Sequence, residues 1–294
     1  MIFGDNREAV IKNIQKAAND RDFTAKVEIG DPQMSLAERL QLVNDYWQRR
    51  KSFSSKFNNH VGHALFDALA KTLVGSTEFR GLENLNNLPI GGAILTTNHY
   101  NQIDSLPMKL LADKMHHPLS IVIEDTNLKL PGFFRYLMNY VGTIPLVQSP
   151  SYIANEFPKH LSHALVQNNW VLIYPEQEMW WTYRKPRKLQ RGAYYFAAKQ
   201  NVPVISTFVE IKDLPKTEKK DANFYETSYV VHVLPPIFPD VSLSANENAH
   251  QMMQQDYQQK VAAYEKIYGK KLNYDFLDWD IAGWRGHLTS DKAE

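Results

Sequence analysis

The sequence predicts an α/β fold: a single domain with a mostly parallel mixed sheet flanked by helices, a helical N-terminal lead and a helical C-terminal extension. Two observations carry this. Short apolar, β-branched runs (Ala93 to Thr97, Leu119 to Ile123, Thr143 to Val147, Trp170 to Tyr174, Val204 to Ile211) alternate with segments of helical period, the pattern of crossover units. Runs at helical spacing also stand outside that alternation at both ends. The boundaries fall at 1–78 for the lead, 79–240 for the core and 241–294 for the extension.

Residues 1–34 are polar and weakly periodic, with a break at Gly30-Asp31-Pro32. Ser35-Leu36-Ala37-Glu38 is a capping box, in which the Ser side chain and the Glu carboxylate satisfy free N–H groups of a helix start. Leu36, Leu40, Val43 and Trp47 follow at helical spacing, and Phe53, Phe57, Val61, Leu65, Leu69 and Leu73 on a strict four-residue step. Two readings fit that stripe: a helix pair packed on the main domain, or an aromatic face lying in a lipid interface with Arg49-Arg50-Lys51 at the headgroups.

In the core, helices are predicted over Ser105 to Met115, from Pro131 to Gly142, over Ile153, Phe157, Leu161 and Leu165, and through Tyr195 to Lys199. Lys212 to Asn223 reads as a surface loop and Tyr229 to Leu234 as a late strand stopped by Pro235-Pro236, with His232 pointing outward. A second capping box, Ser244-Ala245-Asn246-Glu247, opens a helix carrying Met253, Tyr257, Val261, Tyr264 and Tyr268. The aromatic tail, with Tyr274, Phe276, Trp279 and Trp284, either docks on the core or touches lipid.

Composition narrows the function classes. A net charge of +1 supplies no global attraction to nucleic acid. The absence of Cys removes disulfides, thiolate metal sites and a Cys nucleophile. The N-terminus lacks a secretory pattern, and no window reaches the roughly 20 apolar residues that span a bilayer. A cytoplasmic protein, peripheral on the inner face of the cell membrane, is the expectation. His160 and His163 with Glu156 share a helical face, but without a further clustered ligand no metal site is expected.

The candidate chemistry begins at Asn98-His99-Tyr100-Asn101-Gln102-Ile103-Asp104. An apolar strand ends in a His, and an Asp follows at the start of a predicted helix, which can place a base and an orienting carboxylate at the carboxyl end of a strand. Glu176 follows a second strand. If the sheet is parallel, both groups lie on one edge, although Glu176 could equally brace a loop.

The order of segments resembles the four consecutive blocks of the glycerolipid acyltransferase family, which includes the 1-acyl-glycerol-3-phosphate acyltransferases. The blocks are Asn98-His99 to Asp104; Leu130-Pro131-Gly132-Phe133-Phe134 with Gly142-Thr143-Ile144-Pro145; Tyr174-Pro175-Glu176; and Val202-Pro203-Val204-Ile205. The resemblance implies that His99 takes a proton from a lysolipid or glycerol hydroxyl and that Asp104 fixes its tautomer. The donor would be acyl-CoA or an acyl carrier protein, with no cofactor, and the acceptor a lysophospholipid or related lipid at the membrane surface. No nucleic-acid partner is implied. A non-catalytic lipid-binding scaffold and an acyl thioesterase are the alternatives.

The departures concern the acceptor. The family's third block usually reads Phe-Pro-Glu-Gly-Thr-Arg-Ser; here Tyr174-Pro175-Glu176-Gln177-Glu178-Met179-Trp180-Trp181 keeps only the Pro and Glu, and Met179 cannot replace an Arg that forks onto phosphate oxygens. In the second block, acidic Glu124-Asp125 stands where a basic residue is common, with Lys129 nearby, and Gln148 replaces a terminal Arg. One compensation is a phosphate site from the basic loop Arg184, Lys185, Arg187, Lys188 and Arg191. The other is a neutral or sugar-like acceptor held in a pocket of Glu178, Trp180 and Trp181.

Overall fold

The computed structural model describes residues 6–30 and 32–286. Asp31 of the predicted break and the last eight residues of the C-terminal extension lie outside this range. Seven strands form one sheet: β1 (Glu78–Arg80), β2 (Ala93–Thr96), β3 (Leu119–Glu124), β4 (Thr143–Leu146), β5 (Trp170–Ile173), β6 (Val204–Thr217) and β7 (Tyr225–Val233). Their order is β1-β7-β6-β2-β5-β3-β4, and every pairing is parallel except β6 with β7. The mixed sheet expected from the sequence is thus present. Buried on both faces, β2 reads as an uninterrupted core run, as parallel strands do.

Nine α-helices accompany the sheet among the described residues. They are α1 (Arg7–Asn19), α2 (Leu36–Arg49), α3 (Phe53–Val74), α4 (Ser105–Lys114), α5 (Gly132–Tyr140), α6 (Pro150–Asn155), α7 (Phe157–Val166), α8 (Gly192–Gln200) and α9 (Ala245–Tyr268). Both predicted capping boxes are formed, at Ser35 with Glu38 and at Ser244 with Glu247. No helix is long and apolar enough to cross a membrane among the described residues.

Five local expectations are corrected. The polar N-terminus contains α1, whose Val10, Ile11, Ile14, Ala17 and Ala18 form a buried stripe. The single helix expected from Ile153 to Leu165 is two, α6 and α7, meeting at Glu156 just before Pro158, which cannot donate to a continuing helix. Residues 212–217 prolong β6 through a register shift, leaving a shorter loop before β7. His232 lies half-buried on β7, its Nε2 2.7 Å from Glu210 on β6, rather than facing open solvent. In α9 the buried positions are Asn248, Ala249, Met252, Asp256, Lys260 and Tyr264, which share only Tyr264 with the apolar set read in the sequence, because polar and charged residues take core positions.

That charged pair is satisfied by the sheet. Lys260 is 2.5 Å from Asp256, and Asp256 also accepts from Thr96 at 2.8 Å and Tyr194 at 2.5 Å, with Ser206 completing the set. The network ties α9 and α8 to β2 and β6, so the strand that carries the His is anchored from beneath.

The stripe on α3 faces outward. Its buried residues are Ser55, Gly62, Phe66, Ala70 and Val74, whereas Phe53 is 87% and Phe57 63% exposed, with Leu65 and Leu73 exposed as well. Gly62 permits this docking: a Cβ there would stand 2.8 Å from the carbonyl oxygen of Tyr140 on α5. The aromatic tail does dock: Tyr274, Phe276 and Trp284 pack on a second apolar cluster formed with α1, Phe23, Trp180 and Trp181.

Candidate active site

The parallel register puts the carboxyl ends of β2, β5, β3 and β4 on one edge, where open α/β sheets hold ligands. His99 leaves β2 there and Glu176 leaves β5, so the two groups expected to share an edge do so.

His99 Nδ1 lies 2.7 Å from Asp104 Oδ2. An ionised carboxylate only accepts, so Nδ1 carries the proton and Nε2 is the basic nitrogen. Asp104 sits just before α4, and its Oδ2 also receives the backbone N–H of Tyr100 at 2.9 Å and of Asn101 at 3.4 Å. Its other oxygen receives the Tyr174 hydroxyl at 2.5 Å. Burial, with the Asp104 charge next to it, pushes the Tyr174 phenol well above its usual range, so the hydroxyl remains a donor. The His99 ring stacks on Tyr174, centroids 3.9 Å apart at 17°, and the side chain keeps 20% of its surface open. Three contacts therefore hold one imidazole: a carboxylate, a ring face and the backbone beyond β2.

The Asn98 side chain, a candidate substrate contact by its place beside His99, is engaged with the backbone of β6. Its amide nitrogen donates to Val209 O at 3.1 Å and its oxygen accepts from Val209 N at 2.8 Å, so the side chain continues the β2–β6 pairing beyond the last strand residue.

Glu176 is turned into the protein. It accepts from the backbone N–H of His99 at 3.2 Å and of Arg187 at 2.9 Å, and pairs with the Arg187 guanidinium at 3.0 Å. Arg187 also donates to the carbonyls of Phe23 and Glu178. With Arg187 1% and Glu176 2% exposed, this is a buried ion pair stitching three segments together.

Of the five cations read as a phosphate site in the basic loop, three are buried in ion pairs. Arg184 pairs with Asp213 at 2.6 Å, Lys185 with Asp280 at 2.7 Å and Arg187 with Glu176, all buried; only Lys188 and Arg191 are exposed. Isolated charges inside a protein are too costly to leave unpaired, and each buried cation of the loop has met its acid. Trp180 and Trp181 do not open a pocket either. Both are buried, Trp180 donating to Ala25 O at 3.0 Å and lying tilted against Phe23, Trp181 packing edge-on against Phe224. Glu178 is half-buried beside them.

The charge reversal of the second block is answered from the N-terminal lead, which sequence reading did not connect to it. Arg39 on α2 forks onto Asp125 at 2.5–3.0 Å and reaches Glu124 at 3.0 Å, and Lys26 reaches Glu124 at 3.2 Å. His160 stacks on Trp47 at 3.6 Å, and no group of three His, Cys, Asp or Glu side chains suited to a metal ion occurs among the described residues.

Residues 76–210, covering the strand that carries His99, the dyad and the third block, match the family described as acyltransferase. No curated protein matches the chain. Among solved structures the fold is similar to the 1-acyl-sn-glycerophosphate (LPA) acyltransferase PlsC from Thermotoga maritima, with a TM-score of 0.50 and 15% identity over 82% of this chain and 100% of that one. Residues 76–210 are thus similar to the acyltransferase family, and the likeness to the solved structure is one of fold.

Proposed function

We propose that this protein moves a fatty acyl group from acyl-CoA or an acyl carrier protein to the hydroxyl of a lysophospholipid or related lipid. His99 Nε2 takes the hydroxyl proton as the oxygen attacks the thioester carbonyl. Collapse of the tetrahedral intermediate breaks the C–S bond, and the proton held on the imidazole passes to the departing thiolate. Asp104 keeps the basic nitrogen toward the hydroxyl and stabilises the imidazolium during this passage. The donor is itself a substrate, so the reading calls for no separate cofactor. The observation that carries it is the 2.7 Å contact between His99 Nδ1 and a carboxylate already held by backbone N–H groups and Tyr174.

The exposed apolar stripe on α3, with exposed Leu36 and Leu40 on α2, supports work at a membrane surface on the cytoplasmic side. Rows of exposed apolar side chains of this kind suit contact with lipid. The acceptor headgroup is best sought by experiment, since Met179 offers no phosphate fork and the loop cations nearest the block are paired.

Labelled acyl-CoA supplied with a panel of lysophospholipids, glycolipids and simple alcohols tests the reading. Acylated product that disappears in His99→Ala supports it. Free fatty acid alone favours a thioesterase, and lipid binding without turnover favours a scaffold; either outcome, or transfer that survives His99→Ala, refutes the mechanism.

A further inference from the structure

On the carboxyl edge of the sheet, past β3, a cavity of about 460 Å³ opens between α2, the 3-10 turn Asp125–Lys129 and α5. Arg49, Lys129 and Arg135 line it together with apolar Leu42 and the rings of Tyr136 and Tyr140. A second hollow of about 330 Å³ adjoins it, with Leu42, Arg49 and Lys129 in the walls of both. Volumes of this size are ordinary for small-molecule sites.

The charges converge without being consumed. Arg49 donates to Asn139 Oδ1 at 3.1 Å and to the Asp45 carbonyl at 3.3 Å, both neutral acceptors. Lys129 and Arg135 make no ion pair among the described residues. Of the nearby acids, Asp125 and Glu124 are paired with Arg39, while Glu38, held in the Ser35 cap, also feels the Lys129 charge. Asp45, in the wall of the second hollow, accepts from Gln41 at 2.7 Å and leaves the combined cavity with an excess of positive charge. This contrasts with the loop after Glu176, where each buried cation has a carboxylate. Three cations around an apolar floor form a receptor for a compact polyanion joined to a less polar arm.

We propose that this cavity is the subsite for the phosphate groups of the acyl donor, an inference that rests on the acyl-transfer reading above. Position distinguishes donor from acceptor. β3 lies two strands from β2, roughly 10 Å at ordinary strand spacing, and the turn that carries Lys129 follows its carboxyl end, with Arg135 in the first turn of α5. An acceptor's phosphate stands only a few bonds from the hydroxyl to be acylated, too near to reach the cavity from His99. A donor's phosphates stand at the far end of a pantetheine arm, long enough to span that distance. The tyrosine rings and Leu42 would then flank the arm where it enters.

Equilibrium binding of coenzyme A at low salt, by calorimetry, tests the subsite without requiring turnover. Lys129→Gln and Arg135→Gln, both exposed and therefore expected to fold, should each weaken binding about tenfold, the loss of one charge-assisted contact, while unfolding curves stay unchanged. Sedimentation with phosphatidylglycerol vesicles should be retained by both variants. Undiminished coenzyme A affinity in both variants overturns the proposal, as does a wild-type protein that binds no coenzyme A. Loss of vesicle binding with coenzyme A binding intact also overturns it, assigning the cavity to a lipid headgroup. Charge-dependent binding in a protein without transferase activity would leave the subsite standing and refute the acyl-transfer reading alone.

Discussion

Asp104 and Glu176 leave neighbouring strands at the same edge, and both touch His99, yet they act on different atoms of it. Asp104 meets the imidazole, and its other partners are N–H and O–H donors that leave the ring its hydrogen bond. Glu176 meets only the backbone N–H of His99 and gives its charge to Arg187. In the proposed mechanism the first carboxylate would set the electronic state of the base; the second fixes where the main chain runs. Proximity to the proposed base thus does not give a carboxylate a part in the chemistry: what decides is which atom it binds and whether another charge has claimed it.

The sharpest way to break this comparison is to neutralise each carboxylate. Asp104→Asn keeps the shape but lets the side-chain amide favour the wrong imidazole tautomer, and the transfer rate should fall on the order of 10³-fold with little change in the unfolding midpoint. Glu176→Gln should do the reverse, lowering the midpoint more than the rate. Steady-state kinetics and urea unfolding on both variants decide the matter; equal losses of rate would show that the two carboxylates share one role.

The next effect is on stability alone. Arg187→Met strands Glu176 as an uncompensated buried charge, and removing one partner of such a pair costs about 3 kcal/mol or more. Glu176→Gln combined with Arg187→Met should recover much of that loss, since no charge is then left unpaired. A single variant that unfolds at the wild-type urea concentration would mean the pair is not holding the loop.

Tyr174→Phe is smaller still. It keeps the ring stacked on His99 but deletes the donor to Asp104, a charge-assisted bond worth about 1.5 kcal/mol and hence about tenfold in rate if the loss is felt in the transition state. A rate unchanged within experimental scatter would show that the backbone N–H groups of Tyr100 and Asn101 hold Asp104 by themselves.

What was legible in the sequence follows the same division. Strand ends were readable because β-branched runs stop abruptly, and the dyad because Asp104 lies close in sequence to His99. The partners of Glu176 and of the basic loop were not, since Arg187, Asp213 and Asp280 meet only after long-range packing. Periodicity located α3 and α9 but left the face of α3 open between two readings and misjudged that of α9. The apolar row of α3 is turned outward, while α9 buries Asp256 and Lys260 because hydroxyls from β2, β6 and α8 are there to receive them. A count of apolar residues cannot foresee a core that has polar partners ready.

The smallest test concerns the turn that carries Glu176 inward. Gln177 holds φ at 66°, the left-handed region, where the family's third block usually has Gly, and its N–H closes the turn onto Tyr174 O at 3.0 Å. The backbone shape therefore persists although the residue best suited to it does not. A side chain there costs about 1 kcal/mol in the folded state, part of which glycine would give back through a freer unfolded chain. Gln177→Gly should accordingly raise stability by about 0.5 kcal/mol by urea unfolding and leave the transfer rate within about twofold, since Gln177 is exposed and the turn keeps its course. A loss of stability would mean that the Gln side chain supplies a contact outweighing its backbone strain, and that the third block of this chain has acquired its own way of making the turn.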